Sequence, residues 1–210
     1  MLCKLRCKSK ESRYQLIVGA KELFLDGNNM TKDDLLARFK NTTSKKTVMD
    51  LARLAVASSA GVKNLIDLSF HSEPEIAFRS AWVLENAFLL NPDSLSPHQP
   101  YFLNAYLAQK NRSCQRHYTK ILMYLSKGQK LHEGYDVESL INTTFEWLID
   151  PKTPVAVQVN CMDILFNLKH CCDWLEEELK SQIVFLLKDG TAAMQSRGKK
   201  LLLKLNSLRR

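Results

Sequence analysis

Apolar helices with the same internal pattern recur along this chain about every 40 residues. Four of them align on Arg79, Arg116, Gln158 and Arg197, which lie 37, 42 and 39 residues apart. Each follows another apolar helix, so the repeating unit is a helix pair. One pair cannot bury its own apolar face, and neighbouring pairs therefore have to stack and share a core. The sequence thus predicts a stack of helix pairs.

The predicted helices are joined by short connections. They span roughly residues 11–25, 32–40, 45–57, 60–70, 74–90, 98–109, 113–127, 136–149, 154–170, 174–188 and 191–207. Thr31, Asp136 and Thr153 stand at N-cap positions, Pro154 follows at a first helical position, and Asn91 precedes a proline at a helix end. Strand alternation is nearly absent, so we expect an all-α fold.

Two turns carry a resemblance to a known repeat. The stretches Pro74 to Arg79 and Pro154 to Gln158 each begin with proline and end on arginine or glutamine at the start of a second helix. On these residues the chain resembles HEAT repeats, which are armadillo-type helical repeats, over about residues 45–208. Residues 76–85 and 145–168 are also similar to short HEAT-like proteins of Bacteroidetes. The resemblance implies a right-handed α-α superhelix of about four to five helix pairs.

The first 29 residues fit the repeat pattern poorly. We predict an N-terminal extension over 1–29 and a HEAT-like repeat domain over 30–210. The extension is compatible with an additional helix, and Met30, followed by a capping threonine, is compatible with a natural start.

The basic charge of the chain lies at its two ends. The formal net charge is +8, which taken alone favours a nucleic-acid partner. Residues 1–60 contribute +6, residues 61–180 contribute −4 and residues 181–210 contribute +6. Because the body of the repeats is mildly acidic, the global charge is weak evidence for that partner.

Polar residues form a stripe along the predicted helix 154–170. Asn160, Asp163 and Asn167 follow one another at steps of three and four, which places them on one helix face. In a solenoid, second helices usually line the concave side, where partners bind. We therefore predict a non-enzymatic module that binds a protein or peptide on its concave face, against the plain alternative of a solvated polar face. The predicted binding residues are Arg79, Glu85, Arg116, Lys120, Asn160, Asp163, Asn167, Arg197 and Lys200.

A nucleic-acid-binding or base-repair protein is the alternative function. Glycosylases that act on alkylated purines use a HEAT-like solenoid with an acidic residue, aromatic residues and arginines in a basic groove. The corresponding candidates in this chain are Asp163, Trp82, Trp147, Arg79 and Arg116. Their motif does not match residue by residue, so no role is carried over.

Other chemistry finds little support in the sequence. Phosphate-binding loops, HExxH zinc motifs, EF-hand loops and GxSxG elbows are absent, and no cofactor is predicted. The six cysteines lack CxxC spacing and are interpreted as free, mostly buried thiols, and a metal or redox site at His170, Cys171 and Cys172 is the weaker interpretation. Without an apolar run of membrane length, we expect a cytoplasmic monomer or weak dimer.

Overall fold

Helices account for all the regular secondary structure in the described part of the chain. The computed structural model describes residues 30–40, 44–127, 131 and 134–207, and within these ranges it holds ten α-helices, one 3-10 helix and no strand. The α-helices are α1 (Lys32–Phe39), α2 (Lys45–Ala57), α3 (Gly61–Leu68), α4 (Pro74–Leu90), α5 (Gln99–Ala108), α6 (Arg112–Leu125), α7 (Val137–Ile149), α8 (Val155–Asn167), α9 (Leu175–Leu186) and α10 (Ala192–Ser207). The all-α prediction is confirmed.

The predicted helices agree with the structure where it describes them. The ends of the ten helices lie within three residues of the predicted ends. The predicted helix 11–25 lies outside the described residues. The 3-10 helix Pro92–His98 was not predicted, because Pro92 was interpreted only as the end of the preceding helix.

Local side chains fix the helix starts. Thr31 Oγ1 accepts a hydrogen bond from the Asp34 N–H at 3.2 Å, and the Asp34 carboxylate accepts from the Thr31 N–H at 3.1 Å. This reciprocal pair is a capping box. The Asp136 carboxylate caps α7, as predicted, by accepting the N–H three residues further on at 3.1 Å. At α8 the predicted cap is one residue early, because Thr153 closes the preceding turn and Pro154 holds the N-cap position.

The described chain forms two compact units that divide between His98 and Gln99. In the first unit, α2 and α3 pack against α4, and α1 packs against α3 and α4. The Ser80 hydroxyl of α4 donates to the Leu65 carbonyl of α3 at 2.7 Å, so this buried polar group is satisfied. The largest apolar side chains that this packing buries completely are Leu35, Phe39, Leu65, Ile66, Leu84 and Leu95.

In the second unit, the second helices of three successive pairs stack side by side. Helix α8 packs against both α6 and α10, while α5 packs against α7, and α9 packs against α8 and α10. Phe102 stacks on Tyr118 at 5.0 Å between ring centroids and joins α5 to α6. The Tyr106 hydroxyl lies 2.8 Å from Thr144 Oγ1 and joins α5 to α7. This is the packing expected of helix pairs that share apolar faces.

Candidate functional site

Charge is segregated between the first and second helices of the second unit. The second helices, α6, α8 and α10, carry seven lysines and arginines and one acidic residue. The first helices, α5, α7 and α9, carry one lysine and five glutamates. Summing charge over consecutive blocks of sequence hides this difference, because the acidic α7 and α9 lie between the basic α6 and α10 in the sequence. In the structure α8 packs against both α6 and α10, and these three helices form the candidate site.

A row of exposed side chains runs along α6. Arg116 and Tyr124 are exposed and Lys120 is half-buried, at successive steps of four residues. The opposite side of α6 is buried, which fixes the direction of this row, and its buried residues include Cys114, Tyr118, Ile121, Leu122 and Leu125. Among the described residues, neither Arg116 nor Lys120 forms an ion pair.

A second row runs along α10. Arg197, Lys200 and Lys204 are exposed at steps of three and four residues. Gly198 lets α10 approach α9 closely, since a Cβ at this position would meet the Ile183 and Leu187 side chains at 3.1 and 3.0 Å. Buried anchors on the other side of α10 are Met194, Leu201 and Leu205.

The polar stripe on α8 ties these rows together. Asn160 Nδ2 donates to Thr119 Oγ1 at 3.0 Å, and Asn167 Nδ2 donates to Ser126 Oγ at 3.1 Å. Both bonds join α8 to the neighbouring helix pair. The first reaches the middle of α6, and the second reaches the residue that follows α6. The two asparagines therefore hold the helices in register, and their amides are engaged within the protein.

Asp163 lies between the two asparagines on α8 but pairs with α10. Its Oδ1 lies 3.4 Å from Arg197 Nη1, and the aspartate is only 9% exposed. Its Oδ2 is buried without a hydrogen-bond partner in the described structure. Burial raises the pKa of Asp163 above its ordinary value, and the charges of Arg197 and Lys204 oppose that rise. The carboxylate is thus only partly compensated.

Phe166 completes the middle of the stack, one turn from Asp163. The Lys169 Nζ lies 4.6 Å and the Lys204 Nζ 5.6 Å from the centroid of its ring. Both distances are within the range of cation–π contacts. We name the whole surface the α6–α8–α10 face, and it comprises Arg116, Lys120, Tyr124, Asn160, Asp163, Phe166, Asn167, Lys169, Arg197, Lys200 and Lys204.

Seven of the nine predicted binding residues lie on this face, and two lie in the first unit. Arg79 is held in place there: its guanidinium donates to the Phe39 carbonyl at 2.5 Å and lies 3.4 Å from the Glu75 carboxylate. The Arg79 side chain is only 16% exposed. Its bond to the Phe39 carbonyl joins α4 to the end of α1. Glu85 is half-buried on α4.

Tyr124, Phe166 and Lys169 were missed by the sequence analysis. Phe166 looked like one more apolar residue of a mostly buried helix, because α8 is apolar on nearly every side. A usable signal was present, since Asp163, Phe166 and Lys169 succeed one another at steps of three.

The aromatic residues of the base-repair alternative pack within the protein. Trp147 of α7 lies 4.6 Å from Tyr106 of α5 between ring centroids, so it packs among first helices. Trp82 lies 5.9 Å from Phe78 on α4. Asp163, in contrast, faces a second helix. Trp174 is 41% exposed at the start of α9 and lies edge-on to Phe145.

Three further features bear on small-molecule chemistry in the described residues: the cysteines, groups of possible metal ligands, and one pocket. Cys114 and Cys161 are free and buried, and burial raises the pKa of the Cys114 thiol to about 12. Groups of three or more His, Cys, Asp or Glu suited to a metal do not occur in the described ranges. A pocket of about 270 Å³ lies between Val155, Phe185 and Met194, below the usual range for small-molecule sites. None of the helices described could cross a membrane.

Comparison with known proteins points to one repeat family. The sequence profile of the HEAT repeat domain matches residues 35–205. The crystal structure of an engineered protein superposes on this chain with a TM-score of 0.53 at 14% identity, covering 95% of this chain and 93% of that one. At that identity the likeness concerns the fold alone. No curated protein sequence matches the chain.

Proposed function

Because the chain belongs to the HEAT repeat domain family, whose helical scaffolds often mediate protein interactions, we propose that it is a non-enzymatic binding module. Its binding surface is the α6–α8–α10 face, and its partner is a protein segment rich in acidic residues. The observation that carries this proposal is the segregation of charge, which places six cations and one acidic residue on the face.

The two cationic rows supply the attraction. Exposed ion pairs each contribute little to affinity, typically below about 1 kcal/mol, so single contacts do not explain binding. Rows of like charge act together, because their summed potential attracts an oppositely charged partner and orients it before contact. Arg116 and Lys120 begin one row, and Lys200 and Lys204 end the other.

The central helix supplies rigidity. The bonds from Asn160 to Thr119 and from Asn167 to Ser126 fix α8 against the preceding pair, and the Asp163–Arg197 pair connects α8 with α10. A surface that is ordered before binding loses less conformational entropy when a partner docks. These residues therefore act mainly by positioning the two rows.

Charge reversal on both rows tests the proposal. We expect a fluorescein-labelled peptide of glutamates separated by neutral residues to bind the wild-type protein, and the double variant K120E/K200E to lose most of that binding. K152E/K188E is the matched control, because Lys152 and Lys188 are exposed cations outside the face and both double variants lower the net charge by four. Affinity should fall with added salt, since exposed charges are screened.

Three outcomes would contradict the proposal. The first is equal peptide affinity of the wild type, K120E/K200E and K152E/K188E. The second is tight, steeply salt-dependent binding of duplex DNA in preference to the peptide, which would favour the nucleic-acid alternative. The third is self-association that K120E/K200E abolishes, which would place a second copy of the chain on this face.

A further inference from the structure

We propose that Asp163 sets the ligand selectivity of the α6–α8–α10 face. It admits protein segments whose acidic residues are separated by several neutral ones, and it rejects continuous polyanions such as nucleic acids. This inference rests on the proposed function, because it names which acidic ligands the same surface accepts.

A ligand that contacts both cationic rows has to pass over Asp163. It is the sole acidic residue of α6, α8 and α10, and it lies on the central helix between the two cationic rows. Its contact with Arg197 at 3.4 Å leaves Oδ2 without a partner in the described structure. Burial also withholds water from the carboxylate, and the charge of a buried group is screened less than that of an exposed one.

The distance between the rows sets the spacing of a matching ligand. Packed helices lie about 8–10 Å apart, so α6 and α10 are roughly 16–20 Å apart across α8. An extended chain advances about 3.3 Å per residue and spans that gap with about five or six residues. Acidic residues at the two ends of such a stretch reach both rows, and the neutral residues between them lie over Asp163 and Phe166.

A continuous polyanion has no neutral stretch to place over Asp163. Each strand of a DNA duplex carries one phosphate per about 3.4 Å of helix axis, so a strand that bridges the rows brings phosphates close to Asp163. Repulsion between like charges at the centre of an attractive surface is a general way to discriminate between ligands. Arg197 offsets this repulsion only in part, because it contacts just one carboxylate oxygen, at 3.4 Å, and its 46% exposed side chain is screened by solvent more than Asp163 is.

Two peptides of identical composition and a DNA duplex test the inference. In the spaced peptide, two pairs of glutamates flank a neutral stretch, and in the contiguous peptide all the glutamates are adjacent. We expect wild-type protein to bind the spaced peptide more tightly than the contiguous one. In Asp163→Asn this preference should disappear, and affinity for the duplex should rise by about 2- to 30-fold, which is the effect of one like charge at about 8 Å for effective dielectric constants between about 80 and about 20.

Asp150→Asn is the matched control. Asp150 also pairs with an arginine, Arg112, at 3.3 Å, but it is exposed on the turn before α8 and outside the face. Both variants raise the net charge by one and release one arginine. Asp150→Asn should therefore keep the wild-type preference for the spaced peptide and change duplex affinity by less than twofold, a limit set by the weakness of exposed charges.

The inference and the proposed function fail in different ways. Equal binding of the two peptides by the wild type, or equal effects of the two asparagine variants on duplex affinity, would overturn the selectivity role of Asp163. If K120E/K200E still weakens peptide binding in that experiment, the proposed function stands without it. If both peptides bind K120E/K200E as tightly as the wild type, the proposed function itself is overturned.

Discussion

Replacing Asp163 by leucine should stabilise the second unit at neutral pH. Leucine branches at the same carbon as aspartate but is larger, and the 46% exposed Arg197 side chain beside it can move towards solvent to make room for the two methyl groups. It removes a buried carboxylate oxygen that has no partner in the described structure. An unsatisfied buried polar group costs about 1–3 kcal/mol of stability.

The substitution also loses the pair with Arg197, but that loss is small. The Arg197 side chain is 46% exposed and stays hydrated without its partner, and pairs of this kind are worth at most about 1 kcal/mol. The net expectation is a gain of about 1 kcal/mol in the free energy of unfolding. For a chain of this size that corresponds to a rise of roughly 2–4 °C in the melting temperature.

Removing Arg197 instead of Asp163 should lower the free energy of unfolding. Arg197→Gln leaves Asp163 buried with less countercharge, because only Lys204 still opposes the cost of burial. We expect a loss of about 1–2 kcal/mol, below the range for fully buried pairs since Asp163 retains some access to water. The free energy of unfolding should thus rise when the acidic partner of this ion pair is removed and fall when the basic partner is removed.

The pH dependence follows from the raised pKa of Asp163. In the folded protein this pKa lies above the ordinary value of 3.8, so below about pH 3.8 the group is protonated in both states and carries no cost. As pH rises through the folded pKa, the buried group ionises and stability is lost relative to a neutral side chain. The advantage of Asp163→Leu is therefore full above the folded pKa and shrinks as pH falls through it towards 3.8.

Urea unfolding at pH 7.5 and at pH 4.5 measures these differences. At pH 7.5 the Asp163→Leu variant should be the most stable, the wild type intermediate and the Arg197→Gln variant the least stable, with smaller gaps at pH 4.5. A less stable Asp163→Leu at pH 7.5, or gaps that widen on acidification, would refute the argument that Asp163 is a poorly compensated buried charge.

Three further substitutions test the packing. Tyr106→Phe should cost about 1 kcal/mol, because it removes the buried bond between Tyr106 and Thr144, while a thermal melt near that of wild type would contradict it. Gly61→Ala should destabilise the first unit by about 1–3 kcal/mol in urea unfolding, since its Cβ would clash with the Ala55 carbonyl oxygen. Asn167→Ala should cost about 1 kcal/mol and speed amide hydrogen exchange at the end of α6, and unchanged exchange there would count against its positioning role.

Much of the fold follows from local sequence. Helices α2 and α4 have the predicted bounds, 45–57 and 74–90, because apolar periodicity and end signals are contained within each segment. The 3-10 helix at 92–98 shows the limit of this reasoning. Prolines stop an α-helix but do not say what the following residues do.

The site is less accessible to sequence reasoning, since it depends on how helices are rotated against one another. The spacing of Asn160, Asp163 and Asn167 predicted one face, yet two of these side chains bond towards α6 and one towards α10. Which neighbour each side chain meets is decided by packing between pairs about 40 residues apart. Arg79 is a second example, because its bond to Phe39 spans 40 residues of sequence.

The location of the bound ligand tests the central claim most directly. Backbone amide shifts of the isotopically labelled protein would be followed by nuclear magnetic resonance as the spaced glutamate peptide is added. The α6–α8–α10 face predicts that the largest changes lie on α6 from Arg116 to Tyr124, around Phe166, and on α10 from Arg197 to Lys204. Changes confined to the acidic helices α7 and α9, or to the pocket beside Phe185, would contradict it.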